Sequence, residues 1–309
     1  MKSIKLAAIL LIATVFSINS YAQTKAKSTI SVEKVSPEIR KIHFSNAPIN
    51  VIVPETLTDL NEVIKTLSKD SAVKVVIFQS DVKGYFFNHF DLTQMAGFAG
   101  SVTTEGKPMF VDLLTNITNA PFITIANIKG RTQGGGDELS LAFDLRYASK
   151  ELAVFEQPEV GVGLFPGGGG TNLLPRLIGR DRAFEVFASG NDYDATIAEK
   201  FGLVTRTLPN AELDAFVDNL ANRLATFDKT ALVTVKQQLN LVAAPTEAER
   251  LASYSEFLKS LSWAGLQTRV PVFGAMYGEI GVEKLEQNMG FYVGEGNKRI
   301  QESKKNQKK

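Results

Sequence analysis

The chain has 309 residues, 44% of them hydrophobic, and a formal net charge of +1, enough to bury a full core and too balanced to point to a nucleic-acid partner. It contains no cysteine, which excludes disulfides, thiolate catalysis and cysteine metal sites. Only His43 and His89 are present as histidines, so no metal centre is expected.

Residues 1–22 read as a secretory signal peptide. Lys2 and Lys5 precede an apolar run from Leu6 to Ile18, and Ser20-Tyr21-Ala22 offers small residues where a signal peptidase cuts. An uncleaved anchor is the alternative, but the run is shorter than the ~20 residues a spanning helix needs. Cleavage leaves a charge of −1, from +1 less two lysines. The mature protein is expected to be soluble and exported, periplasmic or secreted.

A polar linker over 23–28 leads to two alternating runs, Thr29 to Val35 and Ile39 to Phe44, around Ser36-Pro37-Glu38, the pattern of a hairpin. His43 alternates with Ile42 and Phe44 and is expected to be structural. Pro54 to Leu67 reads as an amphipathic helix, with Leu57, Leu60, Val63, Ile64 and Leu67 along one face. Val73 to Gln79 is a continuous apolar run, as in a strand buried on both faces. After the aromatic segment 84–92 and a loose stretch through Gly97, Gly100 and Gly106, Phe110 to Ile117 suggests another helix.

Ala126 to Ala148 reads as strand, glycine turn and helix. Phe122 to Ile128 suits a buried strand, Gly134-Gly135-Gly136 allows a sharp turn, and Leu139, Ala142 and Phe143 recur at helical spacing. Free backbone NH groups at such a helix start can hold an anion, or an oxygen that becomes one, with Glu138 beside them. A tight turn between close-packed backbones fits the same residues. Further on, Asp144 to Ala148, Ala153 to Phe155 and Leu203 to Thr207 are candidate strands. Gln157-Pro158-Glu159 and Pro166 to Thr171 are loops, and helices dominate from Arg180. No period is clean over 267–294. A core domain over 29–224, a helical C-terminal region over 225–295 and a basic, solvated tail over 296–309 complete the plan.

Several devices are absent: no Gly-x-x-x-x-Gly-Lys-Ser/Thr, no His-Glu-x-x-His, no Gly-x-Ser-x-Gly and no dinucleotide fingerprint. What remains is an ordered set: the aromatic segment 85–92, Gly134 to Glu138, Asp144-Leu145-Arg146-Tyr147-Ala148, Gln157-Pro158-Glu159, Pro166 to Thr171 and Ala198 to Val204. In that order and spacing the chain resembles the crotonase family, also called the enoyl-CoA hydratase/isomerase family, from about Ser31 to Leu224.

The resemblance implies an α/β fold, a crotonase-like spiral of ββα units followed by a helical C-terminal region, assembled as a homotrimer or homohexamer. It implies an enzyme, hydratase/isomerase-like and of lyase type, acting on a small-molecule thioester. No cofactor is implied beyond the coenzyme A carried by the substrate. Aligning Phe86 to Asp91 with the family segment Ala-Gly-x-Asp makes Asn88 one oxyanion donor and Gly135 the other. Glu138 and Glu159 match the two glutamates that handle water. Phe87, His89, Phe90, Asp91, Gly134, Pro166 and Gly167 would contact substrate.

The same residues admit plainer roles. Glu138 suits a helix N-terminus, and Glu159 suits an ion pair with Arg146 or Arg176. The 167–170 glycines suit a packing loop better than a phosphate cradle. Phe87-Asn88-His89-Phe90 departs from the family's small residues, and His89 could act as an acid or base of its own near neutral pH. Double-bond isomerisation, thioester hydrolysis and a non-catalytic exported binder are therefore the alternatives to hydration.

Overall fold

The structure, a computed structural model, describes residues 28–306. The leader at 1–22 and nearly all of the linker at 23–28 lie outside the described residues.

Along the chain the strands are β1 (Ile30–Lys34), β2 (Ile39–Phe44), β3 (Val75–Ser80), β4 (Gly84–Tyr85), β5 (Ile123–Ile128), β6 (Gly130–Gln133), β7 (Leu145–Ser149), β8 (Val154–Glu156), β9 (Tyr193–Asp194) and β10 (Arg206–Leu208). β1 and β2 form the expected antiparallel hairpin, Ile30 facing Phe44. Ser36 closes its turn, Oγ accepting from the Glu38 and Ile39 amides. The larger sheet runs β1-β2-β3-β5-β7-β10 and the smaller β4-β6-β8-β9.

Each of the pairs β3/β4, β5/β6 and β7/β8 sends its first strand to the large sheet and its second to the small one, and a helix follows. This repeat is the ββα spiral. Its effect on the site comes from β4, β6 and β8, which are parallel neighbours, with Tyr85 beside Arg131 and Gln133 beside Glu156. Their C-terminal ends therefore leave one edge together.

Three strands escape a reading from sequence, the first being β4, two residues at the start of the aromatic segment. β6 is Gly-Arg-Thr-Gln, too polar to announce a strand, yet all four residues are buried between its neighbours. β9 is two residues long. The strand expected at 203–207 forms at Arg206–Leu208, at the edge of the larger sheet.

The helix Pro54–Lys69 buries Leu57, Leu60, Ile64 and Leu67, the stripe expected. The helix Met109–Thr118 packs against it. Over 267–294 the helices Ala264–Ile280, Val282–Glu286 and Met289–Asn306 explain the missing period. The first of them serves two cores: Leu266 and Val270 join the main one, while Phe273 and Met276 join Leu285, Met289 and Val293. Residues 298–306, expected to fray, continue the last helix, and Ile300 is buried.

Lys236, on the helix Lys229–Ala243, pins this C-terminal region to the core. Its side chain is 4% exposed and donates to Asp144 Oδ2 at 2.9 Å and to the carbonyls of Ile117 and Phe122. Asp144 also accepts from the amide and hydroxyl of Thr124. Removing one partner of such a pair strands a buried charge, so Asp144→Ala is expected to cost ~3–5 kcal/mol by urea denaturation. Adding Lys236→Met to that background should recover part of the loss.

Candidate active site

Gly134 begins the central turn with φ +49°, a backbone conformation few side chains accept, and its amide is held by the Glu156 carbonyl at 2.9 Å. The helix Gly135–Ser140 follows. A Cβ on Gly136 would sit 2.2 Å from the Phe87 carbonyl oxygen and 2.3 Å from that of Asn88. The glycine run is thus a close packing of two backbones as well as a helix start. The Gly134 carbonyl accepts from the Glu138 amide at 2.9 Å. A trans peptide is planar, so the Gly135 N–H points the opposite way, out of the helix N-terminus.

The same reasoning corrects the other donor. The Asn88 amide donates to the Asn50 carbonyl at 3.1 Å and is therefore committed within the fold. The His89 carbonyl accepts from Ile52 N at 3.0 Å, and Asp91 N donates to Ile52 O at 2.8 Å. Phe90 is bridged to Ile52 in parallel register. Its own N–H, in the plane of the His89 carbonyl, faces away from Ile52. Among the described residues neither the Phe90 nor the Gly135 amide has a protein acceptor. The two residues adjoin, since a Cβ on Gly135 would lie 2.8 Å from the Phe90 ring.

Phe90, Gly135, Glu138 and Glu159 line one cavity of about 80 Å³, walled by apolar side chains such as Leu92, Met95, Phe257, Val270 and Phe273. Of the expected contacts, His89 and Phe90 line it, whereas five, Phe87, Asp91, Gly134, Pro166 and Gly167, do not. Phe87 is fully buried and stacks on Phe44, ring centroids 4.6 Å apart, and so is a core residue. Asp91 caps the turn at Leu92–Gln94, accepting from the Thr93 amide at 2.9 Å. Pro166 and Gly167 are not among the cavity's lining residues; Gly168 is.

Both glutamates are buried. Glu138 Oε1 accepts from the Gly170 amide at 2.9 Å, and a Cβ on Gly168 would sit 2.3 Å from its Oε2. Gly168 and Gly170 of this loop therefore close on a carboxylate of the protein itself. Glu159 Oε2 has no partner among the described residues. Neither arginine named as its possible partner pairs with it: Arg146 donates to the Phe143 and Leu203 carbonyls, and Arg176 to Glu249. Burial raises both carboxyls. Glu138 is pushed well above the usual range, with repulsion from Glu159 adding to burial, and Glu159 rises to about 7.

His89 is not free to act as an acid or base. Its Nδ1 faces the Phe90 carbonyl at 2.7 Å and its Nε2 faces Glu286 Oε1 at 3.0 Å. Both partners accept, so both ring nitrogens carry protons and the ring is an imidazolium. Burial opposes this charge, but the Glu286 carboxylate outweighs it and pushes the histidine up to about 9.

Residues 34–264 match the family model described as "Enoyl-CoA hydratase/isomerase". The chain belongs to that family. It is 31% identical over 195 residues to a Dictyostelium discoideum protein named "Probable enoyl-CoA hydratase, mitochondrial", covering 62% of this chain and 68% of that protein. A Streptomyces avermitilis crystal structure assigned as an enoyl-CoA hydratase superposes with TM-score 0.79 at 33% identity, covering 88% of this chain and 99% of the other. The enoyl-CoA hydratase of Bacillus anthracis gives TM-score 0.64 at 26% identity over 75% and 90% of the two chains.

For this hydratase/isomerase-family chain, sequence reasoning missed Phe90 as the amide without a protein acceptor and Glu286 as the partner of His89. Asp137 was also overlooked; it is buried, accepts from Gln157 Nε2 at 2.8 Å and so ties the Glu138 helix to the Glu159 loop. The acidic run Asp137-Glu138 was a visible signal. Nothing near residue 89 pointed to 286.

The raised carboxyls make stability depend on pH. Glu159 goes from 4.5 to about 7 on folding, so the folded state favours its protonated form. That contribution is fully present below the unfolded value and is lost as pH rises through the folded one. Glu159→Gln should therefore gain on the native chain in melting temperature as pH rises from about 4.5 to about 7, then hold level. Relief of Glu138 acts in the same direction. A gap that does not change with pH would refute the raised carboxyl.

Proposed function

We propose that this enzyme adds water across the double bond of an enoyl-CoA or a similar conjugated thioester. The observation that carries the reading is the convergence on one apolar cavity of two partnerless backbone amides, Phe90 and Gly135, with two buried glutamates, Glu138 and Glu159. When a nucleophile adds at C3 of a conjugated thioester, negative charge builds on the thioester oxygen. Two fixed N–H donors there stabilise the transition state more than the ground state, each typically contributing about 10²- to 10³-fold in rate.

Water attack also needs a base for the water and an acid for C2. Two carboxyls held above their usual range allow one to be ionised while the other keeps its proton near neutral pH. The His89–Glu286 pairing weakens the alternatives that relied on a free imidazole, since isomerisation and hydrolysis would have to run on the glutamates alone. In this reading coenzyme A enters only as part of the substrate. The mature enzyme is exported, as the leader pattern suggests, and works as a homotrimer or homohexamer, as its family suggests.

Glu138→Gln and Glu159→Gln should each lower hydration of a short enoyl-CoA by roughly 10²- to 10⁴-fold while the protein stays folded. Loss of the conjugated absorbance follows the rate, and mass analysis of the product checks the addition of water. Full activity in either variant, or a product that is an isomer or a free thiol, would overturn hydration.

A further inference from the structure

The matched family region ends at residue 264, yet the cavity is also lined by Leu266, Val270, Phe273, Tyr277 and Met289. Among the described residues beyond 264 lies one buried charge that the reaction as described does not use. Glu286, 1% exposed, ends the short helix Val282–Glu286. Its Oε1 accepts from His89 Nε2 at 3.0 Å and the Tyr277 hydroxyl at 2.7 Å, and its Oε2 from Asn88 Nδ2 at 3.2 Å and Gln133 Nε2 at 3.1 Å.

These donors close a ring around the Phe90 peptides. Asn88 Oδ1 accepts from the His89 amide and from Gln133 Nε2, each at 2.7 Å. His89 Nδ1 donates to the Phe90 carbonyl, while Ile52 holds the His89 carbonyl. Ile52 holds the peptide on each side of Phe90, through the His89 carbonyl and the Asp91 amide, and His89 Nδ1 adds a second hold on the one that follows it. The His89 ring is in turn held by Glu286.

We propose that Glu286 is a positioning residue: from the C-terminal helices it holds His89, and through His89 the Phe90 amide, so that the donor site is complete only when those helices are seated on the core. The inference rests on the hydratase reading for what the Phe90 amide does. The charged neighbours are few. His89 faces Glu286, with Asp91 and Glu159 near it, while Glu286 lies close to His89, Tyr277, Glu156 and Tyr85. The ion pair makes the arrangement all or none, because losing either partner strands the other as a buried charge.

The test is kinetic and spectroscopic. Glu286→Gln keeps the shape and removes the charge, and it should lower kcat for a short enoyl-CoA by ~10- to 100-fold with KM little changed, as expected when a group is misplaced rather than removed. Wild-type kcat in the folded variant would overturn the proposal. Should that variant fail to fold, the charge-free pair His89→Gln with Glu286→Gln leaves no lone buried charge and takes its place, judged by the same split between kcat and KM. Independently, nitrogen NMR of the His43→Gln protein, which leaves His89 as the single histidine, should show both ring nitrogens protonated at pH 7.5; a neutral ring would also overturn it. A native protein that binds and turns over no enoyl-CoA would instead retire the hydratase reading, and the NMR result would still report on the pair.

Discussion

Because β4, β6 and β8 lie side by side and parallel, the segments that leave their C-terminal ends meet although they are far apart in sequence. The first carries Phe90, the second Gly135 and Glu138, the third Glu159. None of these segments is positioned by its own local structure alone. The Gly134 amide is held by Glu156 at the end of β8, and Gly136 admits no side chain because the Phe87 and Asn88 carbonyls press against it. The ends of the small sheet thus set the separation of the reacting groups, and the large sheet with its helices supplies the rigid body behind them.

Burial alone does not decide what a carboxylate does here. Glu286, Glu138, Glu159 and Asp137 are all withdrawn from water, yet they differ in electrostatic state. Burial opposes charge on Glu286, but a histidine cation, a hydroxyl and two amides outweigh it and hold the group below its ordinary range. Glu138 has backbone donors only, Glu159 leaves one oxygen without a partner, and both are raised. Asp137, with Gln157 and Ser140 as donors, rises to about 6. A neighbouring cation, reinforced by several donors, separates the carboxylate fixed as a structural anion from the carboxyls free to exchange a proton.

Much of this architecture was legible because local pattern and tertiary role agreed. The apolar stripe of Pro54–Lys69, the continuous run of β5 and the glycines before Glu138 each have a form that few other structures satisfy. Where the sequence misled, the deciding contact was distant. Nothing within Phe86 to Asp91 tells which peptide Ile52 will take, and reading the segment against Ala-Gly-x-Asp put the donor at Asn88, two residues early. β6 was hidden because its burial comes from neighbouring strands and not from apolar side chains. The helices over 267–294 showed no period because Ala264–Ile280 is apolar toward two cores at once.

The substitution of bulky polar residues for the family's small ones at Asn88 and His89 looked like an intrusion on the substrate. His89 does line the cavity, but the polar atoms of both residues are turned to the fold. Asn88 is fully buried and directs its amide to the Ile49 carbonyl and Glu286, and His89 places both ring nitrogens on protein acceptors. The added polar atoms are therefore satisfied by the fold, with no hydrogen-bonding capacity left for a ligand. Their partner Glu286 comes from beyond residues 34–264, the stretch that the family model matches. In the proposed reading residues 88–89 and the C-terminal helices act together: the buried pair His89–Glu286 braces the backbone at Phe90, and the helices that supply the anion also wall the cavity.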